Sequence, residues 1–251
     1  MRVAAIYDIH GNLPALEAVL EDILRAGVHR IVVGGDVFPG PVPVETFELL
    51  LKSDVPVEFI HGNGDREVLA QMRGVETEWY RKAAEAWREP VRWTAQQLKP
   101  EIQGLLAEWP KTLQMEIGDL GRVFFCHATP RNDTEIFTRL TSEEKLLPVF
   151  ADVDARLVIC GHTHMQFDRM VGKFRVVNAG SVGMPFGEPG AYWLLLGPGV
   201  QLKRTSYDLA NAAERIQATA YPQAREFAEH YVLHRPSEEK MLEAFARAEF
   251  G

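Results

Sequence analysis

The first sixty residues twice alternate a short β-branched run with a stretch of helical periodicity, and few folds accept that pattern. Residues 2–7 (RVAAIY), 30–34 (RIVVG) and 55–60 (VPVEFI) read as strands. Between the first two, Leu13, Leu16, Leu20, Ile23 and Leu24 recur at helical spacing, with Asn12 placed to cap and Pro14 in the first turn. Val44, Phe47, Leu50 and Leu51 repeat the pattern before the third run. A βαβαβ opening implies parallel strands with helices packed on the sheet, and so an α/β fold.

Residues 65–110 change character. EVLAQMRG, EWYRKAAEAW and TAQQLKPEIQGLLAEW are helix-forming, and Trp79, Trp87, Trp93 and Trp109 lie among them. This predicts a helical insertion whose tryptophans are core anchors, with a lid over a site as the sharper alternative. Strand-like runs resume at 123–126, 156–160, 174–178, 191–196 and 200–207. The last three follow one another without a helix, which predicts an antiparallel second sheet. About residues 208–250 the chain reads as helical again: Leu209, Ala213 and Ile216 share one face, and Phe227, Tyr231, Met241, Leu242 and Phe245 continue it. No repeat, linker or low-complexity segment divides the chain, so residues 1–251 are expected to form a single domain.

Charge narrows the possible partners. There are 35 acidic residues against 27 basic ones, a net charge of −8. Bulk binding to nucleic acid or to an anionic membrane needs clustered Lys and Arg, and is not expected. No window approaches the length of a membrane span, and the apolar run at the N-terminus is too short for a signal-peptide core. Cys126 and Cys160 each end an apolar run and read as buried, reduced thiols of a cytoplasmic protein. An acidic protein repels a phosphate substrate unless local positive charge offsets the field. Eight histidines leave room for metal to supply that charge.

The chemistry appears when strand ends are compared. They carry Asp8-Ile9-His10, Gly35-Asp36, His61-Gly62-Asn63-Gly64-Asp65, His127 and Gly161-His162-Thr163-His164. Each delivers a metal-ligand type to the edge where open α/β sheets bind their ligands. Asp8 and His10, like His162 and His164, are one residue apart, a spacing that sends both side chains to the same side of an extended backbone. Each motif alone also has a bland reading as a turn or a buried histidine. Five in succession do not.

DIHGN, GGD, GNGD, CHATP and CGHTH, in that order and over roughly residues 1–207, resemble the signature of the calcineurin-like metallophosphoesterases. NAGSVGMP at 178–185 resembles their small bacterial phosphodiesterase branch. The resemblance implies two packed mixed β-sheets flanked by helices, a four-layer sandwich. It also implies that Asp8, His10 and His164 hold one metal, that Asp36 bridges to a second, and that Asn63, His127 and His162 complete the second site. Oxygen and imidazole ligands without thiolate suit two divalent ions, Mn²⁺ foremost, with Fe, Ni or Zn as alternatives. A shared carboxylate sets two such ions about 3.5–4 Å apart, the separation used in two-metal phosphoryl transfer, with a bridging hydroxide as the nucleophile.

Two departures from the family pattern narrow the function. Many members carry a histidine after the GN of the third motif, where this chain has Gly64, so the proton donor to the leaving group must be sought elsewhere. His61 is the candidate. GDVFPGP, 35–41, lacks the acid and arginine of the protein phosphatases. The expectation is therefore a phosphodiesterase acting on a small phosphate ester. A small-molecule phosphomonoesterase is the alternative, and a scaffold like the retromer subunit of this fold is a third reading. Arg131 and Asn132, behind the CHATP strand end, are candidates to reach a phosphate oxygen, with a plain surface loop as the other possibility. Trp79, Trp87 and Phe186 are candidates to stack a nucleobase. Sequence alone leaves the oligomeric state open.

Overall fold

A computed structural model describes residues 1–250. The opening unit is as expected. Strand β1 (Val3–Ile6), helix α1 (Leu13–Ala26), β2 (Arg30–Val33), α2 (Pro43–Leu51) and β3 (Val57–Phe59) build three parallel strands in the order β1-β2-β3. Asn12 caps α1 by accepting from the Ala15 amide at 3.2 Å, and Gly27 ends the helix at φ 62°, in the left-handed conformation that glycine adopts without penalty.

Four helices follow: α3 (Asn63–Met72), α4 (Glu78–Lys82), α5 (Glu85–Gln97) and α6 (Pro100–Glu108). They are packed into the core on the outer face of the first sheet, where Val68, Tyr80, Val91, Ile102 and Leu106 join α1 and α2. Trp109 stacks on Phe59, with ring centroids 4.6 Å apart and planes 8° apart, and so anchors the insertion to β3. Trp93 packs edge-on against Tyr221 at 5.3 Å. Trp79 and Trp87 remain exposed.

The second sheet comprises β4 (Thr112–Glu116), β5 (Arg122–Cys126), β6 (Leu157–Cys160), β7 (Phe167–Val171) and β8 (Phe174–Asn178), ordered β4-β5-β6-β8-β7. Helix α7 (Glu143–Phe150) covers its outer face through Leu146, Val149 and Phe150. β9 (Ala191–Leu196) and β10 (Val200–Thr205) form a hairpin that pairs antiparallel with β1 and completes the first sheet as β10-β9-β1-β2-β3.

This corrects the expected antiparallel second sheet. β8 lies parallel to β6 in one sheet, whereas β9 and β10 belong to the other. The physical reason is the segment 179–190, which carries the chain from one sheet to the other across the strand ends. β4 and β7 are also additions. β4 is a half-exposed edge strand, and β7 buries only its two terminal residues, so neither makes an apolar run.

Side chains alternate along β1. Val3, Ala5 and Tyr7 face the second sheet and meet Phe125, Ile159 and Val177, while Ala4 and Ile6 face the helices. The result is two mixed five-stranded sheets packed face to face with helices outside each. Cys126 and Cys160 are buried with free thiols, raised in pKa by burial. The C-terminal helices are α8 (Leu209–Gln217), α9 (Ala224–Phe227), a π-helical turn over Ala228–Leu233, and α10 (Glu238–Ala246). Ala213 and Ile216 are buried on the predicted face of α8. No helix among the described residues is long and apolar enough to cross a membrane.

Candidate metal centre

The carboxyl ends of β1, β2, β5 and β6 converge, and backbone hydrogen bonds lace their loops together. The Asp8 amide donates to the Gly35 carbonyl, His10 to Asp36, and Gly161 to His127, at 2.8–3.1 Å. Gly183 reaches back to Asp8 at 3.0 Å. Gly35 is required here: at its φ of 95°, an added Cβ would fall 2.5 Å from the Gly62 nitrogen and 2.7 Å from His127 Nδ1.

The lacing forces an unusual backbone. Six non-glycine residues have positive φ, and five of them are Asp8 (53°), His10 (47°), Asp36 (53°), His162 (67°) and His164 (58°). All five are sequence-nominated metal ligands. A left-handed conformation costs a residue with a Cβ about 1–2 kcal/mol, and such strain concentrates at functional sites. Asp and His take positive φ more readily than most residues with a Cβ, but no spacing in the sequence places five of them there together.

Five ligand atoms face one another across the site. Asp8 Oδ1 lies 3.4 Å from His164 Nε2, 3.8 Å from His127 Nε2 and 4.0 Å from His10 Nε2. Asp36 Oδ2 stands between the two halves, 3.7 Å from His10 Nε2 and 3.6 Å from His127 Nε2. Asp8, His10 and His164 make one trio of ligand atoms within 4.8 Å of one another, and Asp8, Asp36 and His127 make another. Asp8 thus belongs to both trios, and not only to the one for which it was nominated.

The other ring nitrogens fix the tautomers. His127 Nδ1 meets the Gly34 carbonyl at 2.9 Å, His162 Nε2 meets Thr134 at 3.2 Å, and His164 Nδ1 meets Met184 at 2.8 Å. A carbonyl only accepts, so each of these nitrogens carries the hydrogen, and the inward nitrogen of each neutral ring is a lone pair. This is how metal-binding imidazoles are oriented by their outer partners.

The resulting site fits divalent cations and is poorly satisfied by protein alone. Asp8 Oδ1 is buried without a hydrogen-bond partner, and its twin Oδ2 accepts from the His162 amide at 2.9 Å. The Asn63 amide oxygen lies 3.1 Å from His127 Nε2, a lone pair facing a lone pair. With protein partners only, reversing the amide lets its NH2 donate to His127 Nε2 at 3.1 Å and His162 Nδ1 at 3.0 Å. A cation among the rings favours the oxygen-inward orientation.

Proton affinities follow the crowding. Burial, with His164 adding, pushes His10 down to about 3, and burial with His127 does the same to His162. Burial works against ionised Asp8 but is outweighed by His164, His127 and His10, which hold its carboxyl well below the usual range. Burial and then the Asp8 charge push Asp36 up. His164 is opposed by burial, yet the Asp8 contact raises it.

Supporting residues that sequence reading left without a role surround the ligands. Asp65 accepts from the amides of Asp36 (2.8 Å), Phe38 (3.0 Å) and Gly62 (3.0 Å), tying the second motif to the third. Asn178 donates to the Gly161 carbonyl at 2.6 Å and to Thr163 at 3.1 Å, bracing the GHTH turn. Ser181 donates to the Asp8 carbonyl at 2.7 Å, and Asn12 to the Gly183 carbonyl at 2.9 Å. The segment NAGSVG is therefore a strap over the metal-facing residues.

Three nominated residues lie outside this set. His61 packs its ring 5.7 Å from that of Trp109, and its Nδ1 is buried without a partner. Arg131 is engaged by Glu135 at 2.8–3.0 Å, and the Asn132 side chain accepts from the Thr134 amide and hydroxyl at 2.7 Å. Both line a separate cleft with Arg66, Lys111, His127 and Thr129. Phe186 stacks on His164, with centroids 5.4 Å apart and planes 20° apart. No side chain fits at Gly64, where a Cβ would fall 2.3 Å from the Phe38 carbonyl oxygen.

Over 244 residues, the chain is 28% identical to the uncharacterised protein MJ0912 of Methanocaldococcus jannaschii, covering 88% of this chain and 94% of that one. Its fold is similar to the hypothetical protein PH1004 of Pyrococcus horikoshii, with a TM-score of 0.77 at 22% identity, covering 94% and 99% of the two chains. A metallophosphoesterase of Sphaerobacter thermophilus superposes with a TM-score of 0.71 at 24% identity, over the same shares. Residues 1–196, which hold every nominated ligand, match the calcineurin-like phosphoesterase superfamily domain, and the chain belongs to that superfamily.

Proposed function

We propose that the chain is a metal-dependent phosphodiesterase with a binuclear centre, acting on a small phosphate ester. The observation that carries this reading is the unsatisfied Asp8 Oδ1 facing imidazole lone pairs that backbone carbonyls have already oriented. Asp8, His10 and His164 would hold one divalent ion, and Asn63, His127 and His162 the other, with Asp36 between them. Manganese is the first choice for a site of oxygen and imidazole donors, with iron, nickel or zinc able to replace it. When bound, such ions supply Lewis-acid charge for phosphoryl oxygens and lower the pKa of water.

The chain's own residues then have defined tasks. Carbonyls of Gly34, Thr134 and Met184 hold three of the rings as neutral donors. Asp65 and the Ser181 strap fix the strained loops, so the ligands are oriented before substrate arrives. Diester chemistry is favoured over phosphoprotein because GDVFPGP, 35–41, lacks the acid and arginine of the protein phosphatases. Buried thiols and an acidic surface agree with work in the cytoplasm.

The test is p-nitrophenolate release from bis-p-nitrophenyl phosphate by chelator-stripped protein, with and without Mn²⁺. Metal-dependent release supports the reading. Release only from the monoester p-nitrophenyl phosphate turns it to a phosphomonoesterase, and no release from either, in folded protein with metal bound, turns it to a scaffold.

A further inference from the structure

A cavity of about 320 Å³ opens directly on His10, Asp36 and Asn63. Its far walls are aromatic: Trp79 and Trp87 come from the insertion, and Tyr221, Phe227 and Tyr231 from the C-terminal segment. The two walls are fastened to each other, since Gln223 Nε2 donates to the Ala86 carbonyl at 2.7 Å and Trp93 packs on Tyr221. The cavity is thus built, with the metal-facing residues as one end and aromatic rings as the other.

We propose that this cavity is a subsite for a flat aromatic ring carried by the phosphate ester, and that a nucleoside phosphate is the chemistry it fits. The proposal rests on the phosphoesterase reading above and names the substrate class of that site. Trp79 and Trp87 are 41% and 61% exposed, so their rings are not spent on the core. Large indole faces held open to a cavity offer stacking to a flat ring, which every base presents. Among the described residues, no Lys or Arg lines the cavity, so the group it accepts is not a second phosphate. Glu67 is already taken by Arg66 and Thr77. The Glu226 carboxylate and the His230 imidazole remain to meet the polar edge of a base.

Calorimetric titration of the Mn²⁺-loaded full-length chain with adenosine 5′-monophosphate, ribose 5-phosphate and inorganic phosphate tests this. The expected result is binding of all three, with the adenosine ester about tenfold or more tighter than the ribose ester. Trp87→Ala should remove that preference while leaving ribose 5-phosphate affinity within about twofold, and Trp87→Phe should restore most of it. Equal affinities of the two esters for the wild-type protein overturn the proposal and leave the phosphoesterase reading standing. So does a preference that survives in both Trp87→Ala and Trp79→Ala. Failure of inorganic phosphate to bind the metal-loaded protein overturns the reading beneath it, and the proposal with it.

Discussion

Asp8 Oδ1 lies 3.4 Å from His164 Nε2, and in the neutral ring neither atom has a hydrogen to give the other, because His164 Nδ1 is committed to the Met184 carbonyl. Two lone pairs held this close in a buried site need a positive charge between them. A proton supplies it weakly and a divalent cation supplies it well, which is why the metal-free protein is the strained state.

Metal should therefore stabilise the fold. At a free Mn²⁺ concentration of a hundred times Kd, one site contributes about 2.7 kcal/mol. For a domain of this size that raises Tm by roughly 5–10 °C. Differential scanning calorimetry of chelated and reconstituted protein checks it. Identical Tm values would show that the site binds no ion in the folded state.

The pH dependence of loading has a fixed sign. In the metal-free protein Asp36 is raised by burial and the Asp8 charge, and His164 is raised by Asp8 against burial, so both retain protons above their ordinary ranges. Metal binding must expel those protons. Apparent Mn²⁺ affinity should therefore rise with pH through the neutral range and fall as His164 becomes protonated. Titrations in buffers of different ionisation enthalpy would report net proton release. Proton uptake would contradict the assignment.

His127→Ala and Asp36→Asn should nearly abolish turnover, whereas Asp65→Asn should cost less activity and more stability. Asp65 touches backbone amides on both neighbouring motifs, and hydrogen bonds of this kind contribute about 0.5–1.5 kcal/mol each. Kinetics and denaturant unfolding of the three variants separate the roles. Equal activity losses would mean that Asp65 does more than hold the loops.

Restoring the family's histidine should fail. A Cβ at position 64 meets the Phe38 carbonyl oxygen at 2.3 Å and Pro39 Cδ at 3.0 Å. Gly64→His is expected to lower Tm by several degrees and reduce turnover together, as overpacking costs about 1–3 kcal/mol. A stable variant with increased activity toward alkyl esters would show that the loop yields and that an imidazole is useful there.

Much of this architecture was legible because two periodicities alternate cleanly. β1 and β2 are short, mostly buried apolar runs and β3 a half-buried one, and Leu16, Val19 and Ile23 bury one face of α1. The candidate ligands stood out because Asp8, Asp36, His127, His162 and His164 sit at strand ends, where chemistry collects in such sheets. The destination of β9 was hidden, since residues 179–190 carry no signal that they cross between sheets. β4 and β7 were hidden for a different reason: Gln114 and Asp168 face outward and break the apolar pattern. The supporting contacts of Asp65, Asn178 and Ser181 depend on loop closure, which no local spacing encodes. The aromatic cavity was half visible: Trp79 and Trp87 were noted, but their partners Tyr221, Phe227 and Tyr231 lie more than a hundred residues away.

The most direct test of the central claim is a count. Chelator-stripped protein is dialysed against Mn²⁺ and analysed for bound metal per chain, beside Asp36→Asn treated in the same way. Two ions per wild-type chain, and fewer in the variant, are the predicted result. A folded wild-type chain that retains no divalent ion after reconstitution with manganese, iron, nickel or zinc would contradict the account.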